Sequence, residues 1–401
     1  MLANTEKLRR EIERSLPERP FTIEFWDGSR VASTNGGGPT FSVRSPKAIA
    51  HALRAPGQLG IGRAYVSGDL EPDDLDAAMG LLEDWKPPPI DARQQGKLML
   101  AALRATGLTL PPRRPSAELA LKGARHTRER DAQAVRHHYD VSNEFFGLFL
   151  DRSLTYSCAI FSRGAETLEA AQEEKLDMVC RKLGLSEGDR VVDIGSGWGS
   201  FAIWAAKNYG AQVVGITLSA PQAEGARARA EEAGVADRVD FRVMDYRDLA
   251  GERFDAIASI GMVEHVGHER IDLYAQRLAD LLRPGGRLLN HGIARLRRTD
   301  PDAGPFSERY VFPDAEPLHL SRMQLALERA GFETEHVEGF RSDYAETLRH
   351  WIDRLDANRA RAEQLAGPER LRVWRLYLRA ARNGFLTAFT SVYQVKCRLP
   401  D

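Results

Sequence analysis

The chain has 401 residues, enough for two or three domains and a substantial core. Its 56 basic and 57 acidic side chains nearly cancel, which argues against a dedicated nucleic-acid binder. The three cysteines, Cys158, Cys180 and Cys397, are odd in number and widely spaced, without a metal-ligand rhythm, and fit a reducing cytoplasm. Met1 to Arg19 lacks the apolar stretch of a signal peptide, and no run approaches the ~20 apolar residues that span a bilayer. Any membrane contact is therefore expected to be peripheral.

Phe21 to Trp26 alternates like a strand and meets Asp27-Gly28, a hairpin signal; a second strand is expected around Phe41-Ser42-Val43. Helical patterns follow around Gly60–Tyr65 and Asp73–Trp85, before Pro87-Pro88-Pro89 and Pro111-Pro112 break the chain. Residues 1–110 thus read as a small α+β domain, and 111–131 as a basic linker. Between Pro111 and Arg136, Arg113, Arg114, Lys122, Arg125, Arg128, Arg130 and Arg136 outweigh Glu118, Glu129 and Asp131. Such a segment is usually a solvated surface, but it also suits anionic phospholipid headgroups.

A catalytic domain is expected over 132–401. Helix Thr167–Leu183 leads into strands Arg190–Ile194, Gln212–Ile216, Val239–Val243, Phe254–Ile260 and Gly286–His291. Between them lie a helix opened by Phe201–Ala206 and helices Ala220–Ala233 and Arg270–Leu282. This alternation predicts an α/β fold, a mostly parallel sheet with helices on both faces. A helix Ser321–Ala330, a strand Thr334–Val337, a long helical region Tyr344–Phe389 and a last strand Val392–Cys397 complete the chain.

The first of these parallel strands ends in Val191-Val192-Asp193-Ile194-Gly195-Ser196-Gly197-Trp198-Gly199. Glycines at alternate positions let a ligand approach the backbone where a helix begins. Such a turn suits a nicotinamide, a flavin, a nucleotide or S-adenosylmethionine. The spacing is G-x-G-x-G, not the G-x-G-x-x-G of dinucleotide sites. The next strand ends on Thr217-Leu218-Ser219, where a dinucleotide enzyme would place an acid for the ribose hydroxyls. With Gln222 these are neutral partners, suited to a ribose and an amino-acid tail.

With the elements placed, the chain resembles the cyclopropane-fatty-acyl-phospholipid synthases, a family related to the mycolic-acid methyltransferases. The motifs that carry the resemblance are His138-Tyr139-Asp140-Val141-Ser142-Asn143, Thr155-Tyr156-Ser157-Cys158-Ala159, Asp193–Gly199 and Thr217-Leu218-Ser219 with Gln222. Asp245-Tyr246-Arg247-Asp248, Gly261–Gly267, Tyr310-Val311-Phe312-Pro313 and Tyr344–Trp351 are similar as well. The resemblance implies a class I methyltransferase fold, Rossmann-like, and S-adenosylmethionine bound by Tyr156, Ser157, Asp193, Gly195, Gly197, Gly199, Thr217, Leu218, Gln222, Asp245, Tyr246 and Ile260. It implies alkylation of a double bond in an unsaturated phospholipid acyl chain at the inner face of the cell membrane, with a homodimer as one assembly. The carbocation so formed must lose a proton, and the resemblance implies a bicarbonate base held by Cys158, Glu264, His291, Ile293 and Tyr344.

Each residue also has a plainer reading. Cys158 and Tyr344 would otherwise be assigned to core, and His265 competes with His291 as the working histidine. Tyr139, Phe145, Phe146, Phe149, Tyr156 and Phe161 suit either core or an acyl tunnel that shields a cation. Ring closure gives a cyclopropane, whereas a hydride shift before proton loss gives a methylene, the precursor of a methyl branch. Methylation of a soluble natural product, or lipid binding without catalysis, are the alternatives outside the lipid-modifying reading.

Overall fold

A computed structural model describes residues 5–107, 112–119, 125–131, 133, 142–297 and 305–401. Lys122, Arg136 and the motif residues His138, Tyr139, Asp140 and Val141 lie outside them. Two compact units result: Met1–Leu119 with Gly367–Asn383, and Ala120–Ala366 with Gly384–Asp401.

The first unit is built on a four-stranded sheet in the order β2-β1-β3-β4, with β1 Thr22–Phe25, β2 Arg30–Val31, β3 Thr40–Val43 and β4 Leu70–Pro72. The expected hairpin forms between β1 and β2, turning at Gly28 with φ 78°. Phe25, Val31 and Val43 face helices Glu6–Ser15, Pro46–Arg54, Gln58–Val66 and Ala92–Thr106 in one apolar cluster. Arg63 and Glu118 are buried together and bond in bidentate fashion at 2.5 and 2.6 Å, so neither charge is left unpaired.

Residues 367–383 belong to this first unit, a grouping absent from the sequence reading, which ran one helical region from 344 to 389 through the second domain. The helix Arg341–Ala357 is followed by a second, Arg359–Leu386, which is interrupted at Gly367, with φ 78° and ψ 163°, just before Pro368. Proline lacks the N–H and clashes with the preceding turn, so a helix does not run through that pair straight.

The second unit holds a seven-stranded sheet: β5 Arg190–Ile194, β6 Gln212–Thr217, β7 Val239–Val243, β8 Phe254–Ile260, β9 Leu282–Arg295, β10 Glu333–Gly339 and β11 Thr390–Arg398. Their order is β10-β11-β9-β8-β5-β6-β7. Strands β5 to β9 are mutually parallel, and β11 is inserted antiparallel between β9 and β10. Side chains alternate across the sheet. Val191 and Val213 point to helices Leu168–Leu183, Ser200–Tyr209 and Ala220–Glu232. Val192, Ile194, Val214 and Ile216 point to helices Ile271–Leu281 and Leu320–Arg329. Both faces are covered, as a near-parallel sheet requires, and the expected α/β fold is present.

Strand β9 is longer than the expected Gly286–His291. Its partner β11 pairs with it from Arg287 to Arg295, so His291 and Ile293 both lie within the sheet. One buried polar knot ties it to helix Ile271–Leu281: the Tyr274 hydroxyl donates to Asn290 Oδ1 at 2.8 Å and meets the Ser259 hydroxyl at 2.7 Å. Tyr274→Phe leaves the Asn290 oxygen without this donor inside the protein and is expected to cost about 1–3 kcal/mol. Urea denaturation should show a lower midpoint with an unchanged slope; an unchanged midpoint would show that the knot contributes nothing.

Candidate functional site

The carboxyl ends of β5, β6, β7 and β8 open into one cavity, at the point where the strand order reverses and where open α/β sheets place ligands. Ten of the expected cofactor residues other than Gly197 line it: Tyr156, Ser157, Asp193, Gly195, Thr217, Leu218, Gln222, Asp245, Tyr246 and Ile260. Gly197 lines it too, with φ 54°, and a Cβ built there meets nothing within 4 Å, so its bare face borders open space. Gly199 is different. A Cβ there would sit 2.5 Å from the Phe241 ring, so this glycine makes room for packing behind the turn and is not part of the lining.

Asp193 is buried and its Oδ2 has no hydrogen-bond partner among the described residues. Burial pushes its carboxyl up to about 7, although the Lys175 ammonium counters it. Lys175 was missed in the sequence. It is also buried, borders the cavity and donates to Ser157 Oγ at 3.0 Å, while burial lowers its amine to about 8. Gln172, one turn earlier, donates to the Ser157 carbonyl at 2.9 Å. The signal was available: both polar residues fall on the otherwise apolar stripe of helix Leu168–Leu183 formed by Leu168, Ala171, Leu176 and Val179.

At the end of β6, Thr217 Oγ1 donates to Gln222 Oε1 at 2.8 Å, and the Ser219 side chain caps the following helix. At the end of β7, burial raises the Asp245 carboxyl but hydrogen bonds from Arg247 outweigh it and hold it below the usual carboxylate range. Arg247 also bonds Asp131 at 2.9 Å. Its partners, with Arg128 on Asp248 at 2.9 Å and Arg130 on Asp314, commit this part of the basic segment to acids of the same unit. Arg125 is shared among Glu308, Asp314 and Glu316.

The expected base residues lie on neighbouring elements, outside the cavity lining. Glu264, in the short turn Val263–His265 after β8, accepts from the Ile293 N–H at 2.9 Å; its Oε2 is buried without a partner among the described residues. Burial raises its carboxyl to about 7, softened by that N–H. His291 is buried two residues before Ile293, on the same face of β9. Burial, then the charges of Lys175 and Lys182, lower its imidazole to about 3, so it is neutral. His291 Nδ1 lies 3.1 Å from Gln394 Nε2, while Nε2 is buried without a partner among the described residues. The Gly261 N–H donates to the His291 carbonyl at 2.8 Å, which ties this strand to the cavity's β8 wall.

Cys158 and Tyr344 meet at one carbonyl. The Cys158 thiol lies 3.7 Å from the Phe340 oxygen, which also accepts the Tyr344 N–H at 3.0 Å. The Phe340 N–H in turn bonds Val392, the β11 partner of Ile293. Complete burial pushes the Cys158 thiol well above its ordinary value, so it is no thiolate. The alternative histidine, His265, borders the cavity, with burial and His126 lowering it to about 4, and touches Phe312 edge-on at 5.5 Å.

The aromatic group divides. Phe145, Phe146 and Phe149 are fully buried against one another at 5.7–5.8 Å and form core. Tyr156 borders the cavity and stacks on Trp351 at 5.2 Å, and Phe161 stacks on His350 at 5.1 Å. Tyr139 lies outside the described residues.

The family model for mycolic acid cyclopropane synthetase matches residues 126–395. A probable fatty acid methyltransferase of Pseudomonas putida is 37% identical over 382 residues, spanning 94% of this chain and 91% of its own. The cyclopropane-fatty-acyl-phospholipid synthase of Escherichia coli K12 is 33% identical over 366 residues, spanning 90% and 88%. The crystal structure of mycolic acid cyclopropane synthase CmaA1 complexed with SAH and CTAB superposes with a TM-score of 0.63 at 32% identity, covering 67% of this chain and 98% of that one. With the strand order, the glycine-lined cavity and these matches together, the chain belongs to the mycolic acid cyclopropane synthetase family and is an S-adenosylmethionine-dependent methyltransferase.

Proposed function

We propose that the protein adds the methyl carbon of S-adenosylmethionine across the double bond of an unsaturated phospholipid acyl chain to give a cyclopropane, with bicarbonate as the base. The observation that carries this reading is the pair of buried atoms Glu264 Oε2 and His291 Nε2 beside the cofactor cavity, both without a partner among the described residues. S-Adenosylmethionine supplies an electrophilic methyl on a sulfonium, and bicarbonate supplies the acceptor for the proton the new methyl must lose. The residues present fit both groups. The open face of Gly197 and the Asp193 oxygen, which has no partner among the described residues, suit a cationic cofactor laid against the turn. The SAH held by the cyclopropane synthase of the comparison supports that assignment.

In this reading Tyr156, Ser157, Asp193, Gly195, Gly197, Thr217, Leu218, Gln222, Asp245, Tyr246 and Ile260 hold the cofactor. Lys175 and Gln172 keep the Ser157 loop in place. Glu264 and His291 hold the base. Two full negative charges cannot share a buried site at little cost. A carboxyl raised to about 7 and a neutral imidazole therefore suit an anion. Ile293 orients Glu264 through its N–H, and Cys158 and Tyr344 close the pocket. Burial of Cys158, Glu264, His291 and Tyr344 excludes the water that would quench a carbocation.

Glu264→Gln retains an acceptor for the Ile293 N–H but cannot exchange a proton. Cofactor affinity should be preserved and turnover should fall on the order of 100-fold. The sign of the pH effect follows from the raised carboxyl. Above about 7 Glu264 loses its proton, so the KM for bicarbonate should rise with pH in the parent and lose this step in the variant. Parent turnover in Glu264→Gln would remove the base site from this position.

A phospholipid substrate requires a membrane contact, and Arg125, Arg128 and Arg130 of the linker are poor candidates because they are already paired. Helix Ala92–Thr106 supports the contact better. Its inner face enters the apolar core, while Met99, Leu100 and Leu103 are exposed by 46–52%. At helical spacing Arg93, Lys97 and Arg104 continue that outer surface, and the helix contains no acidic residue. A strip of apolar side chains beside a strip of cations suits an anionic bilayer surface. Among the described residues no helix is long and apolar enough to cross a membrane, so the contact would be peripheral, at the inner face of the cell membrane. Replacing Met99, Leu100 and Leu103 together by Ser should weaken sedimentation with phosphatidylglycerol vesicles tenfold or more, with turnover on detergent-dispersed substrate unchanged. Parent-like vesicle binding combined with loss of a dimer would assign this face to a second copy of the chain instead.

A further inference from the structure

His291 carries its functional weight only if the right ring nitrogen holds the proton, and the structure contains a device that decides this. Gln394, fully buried on β11, faces His291 in register across the β9–β11 pair. Its side-chain oxygen accepts from Lys182 Nζ at 2.7 Å, and its side-chain nitrogen lies 3.1 Å from His291 Nδ1. Lys182 is itself held by Glu338 at 2.6 Å and sits over the Phe340 ring at 5.2 Å.

An ammonium has only donors, so the amide must turn its oxygen to Lys182 and its NH2 to the histidine. Reversed, the amide would set donor against donor at one end. An NH2 group in turn only donates along this contact, so His291 Nδ1 must be the acceptor and the single ring proton must lie on Nε2. Nε2 is the nitrogen left buried and without a partner among the described residues.

We propose that Lys182 and Gln394 are positioning residues that lock His291 in its Nε2–H tautomer, so that the base site presents an N–H donor to an anion. The proposal rests on the base-site reading above and deepens it. In the other tautomer Nε2 would present a lone pair to an anion and repel it. Lys182 stands on helix Leu168–Leu183, the helix that also carries Lys175 and Gln172. One helix therefore braces both the cofactor loop and the base histidine, the latter from a distance of two side chains.

The test is nitrogen NMR of the full-length protein with 15N-labelled histidine, read together with steady-state kinetics. The parent should show a neutral Nε2–H signature for His291, assigned by its loss in His291→Asn. Lys182→Met frees the amide to turn. It should bring in the Nδ1–H form and lower kcat by 10- to 100-fold with KM for S-adenosylmethionine unchanged. Lys182→Arg, which still offers only donors, should restore both the tautomer and the rate. An Nδ1–H parent would overturn the proposal, and so would Lys182→Met with the parent tautomer. A changed tautomer with unchanged kcat would uphold the relay and remove His291 from the chemistry, which separates the two failures.

Discussion

The antiparallel pairing of β11 with β9 is the constraint on which the candidate base site depends. In this sheet β5 to β8 end at the cofactor cavity, but that cavity alone makes only a nucleotide-type site. Inserting β11 beside β9 stretches β9 as far as Arg295, so that from His291, which pairs with the last residue of β8, the sheet runs on to carry Ile293 past the end of β8. The same register puts Gln394 opposite His291 and Val392 opposite Ile293. Through Val392 it holds Phe340, whose carbonyl gathers Cys158 and Tyr344. One hydrogen-bonded ladder thus brings together side chains that are up to 236 positions apart in sequence, from Cys158 to Gln394.

Burial then sets the chemistry. Asp193 and Glu264 are raised to about 7, and His291 is lowered to about 3, in each case chiefly by loss of water. The signs oppose each other. Carboxyls that are raised in the fold contribute stability that is present at acid pH and lost as pH climbs to about 7. A histidine kept neutral does the reverse, losing stability as pH falls below its unfolded value near 6.5. A site that resists ionisation from both sides is costly to fold and suits the cationic intermediate proposed for it.

Much of this was legible in the sequence, and what was not has physical reasons. The β-branched runs of β5 and β6 announced buried parallel strands, and the alternate glycines with Thr217 and Gln222 announced a cofactor site that is not a dinucleotide site. Gly199 misled because a glycine that admits a neighbouring ring and one that admits a ligand look the same in a string of letters. The length of β9 was hidden because it comes from β11, more than ninety positions later. Gly367-Pro368 did mark the helix break, but the helical pattern on either side concealed it. Lys182 and Gln394 carried no visible signal, since a lysine near a helix end and a glutamine in a strand are ordinary until the fold sets them in line. The set Cys158, Glu264, His291, Ile293 and Tyr344 came from resemblance alone; spacing could not have joined it.

If the base site works as proposed, the carbon delivered to the lipid loses a proton inside it. This is tested most directly by mass spectrometry of an unsaturated phospholipid incubated with the protein, bicarbonate and S-adenosylmethionine bearing a fully deuterated methyl group. The expected product is a lipid that gains one carbon and keeps two of its three deuterium atoms, the third having left as the deuteron taken by the base. A product retaining all three, or label that never reaches the acyl chain, would contradict it.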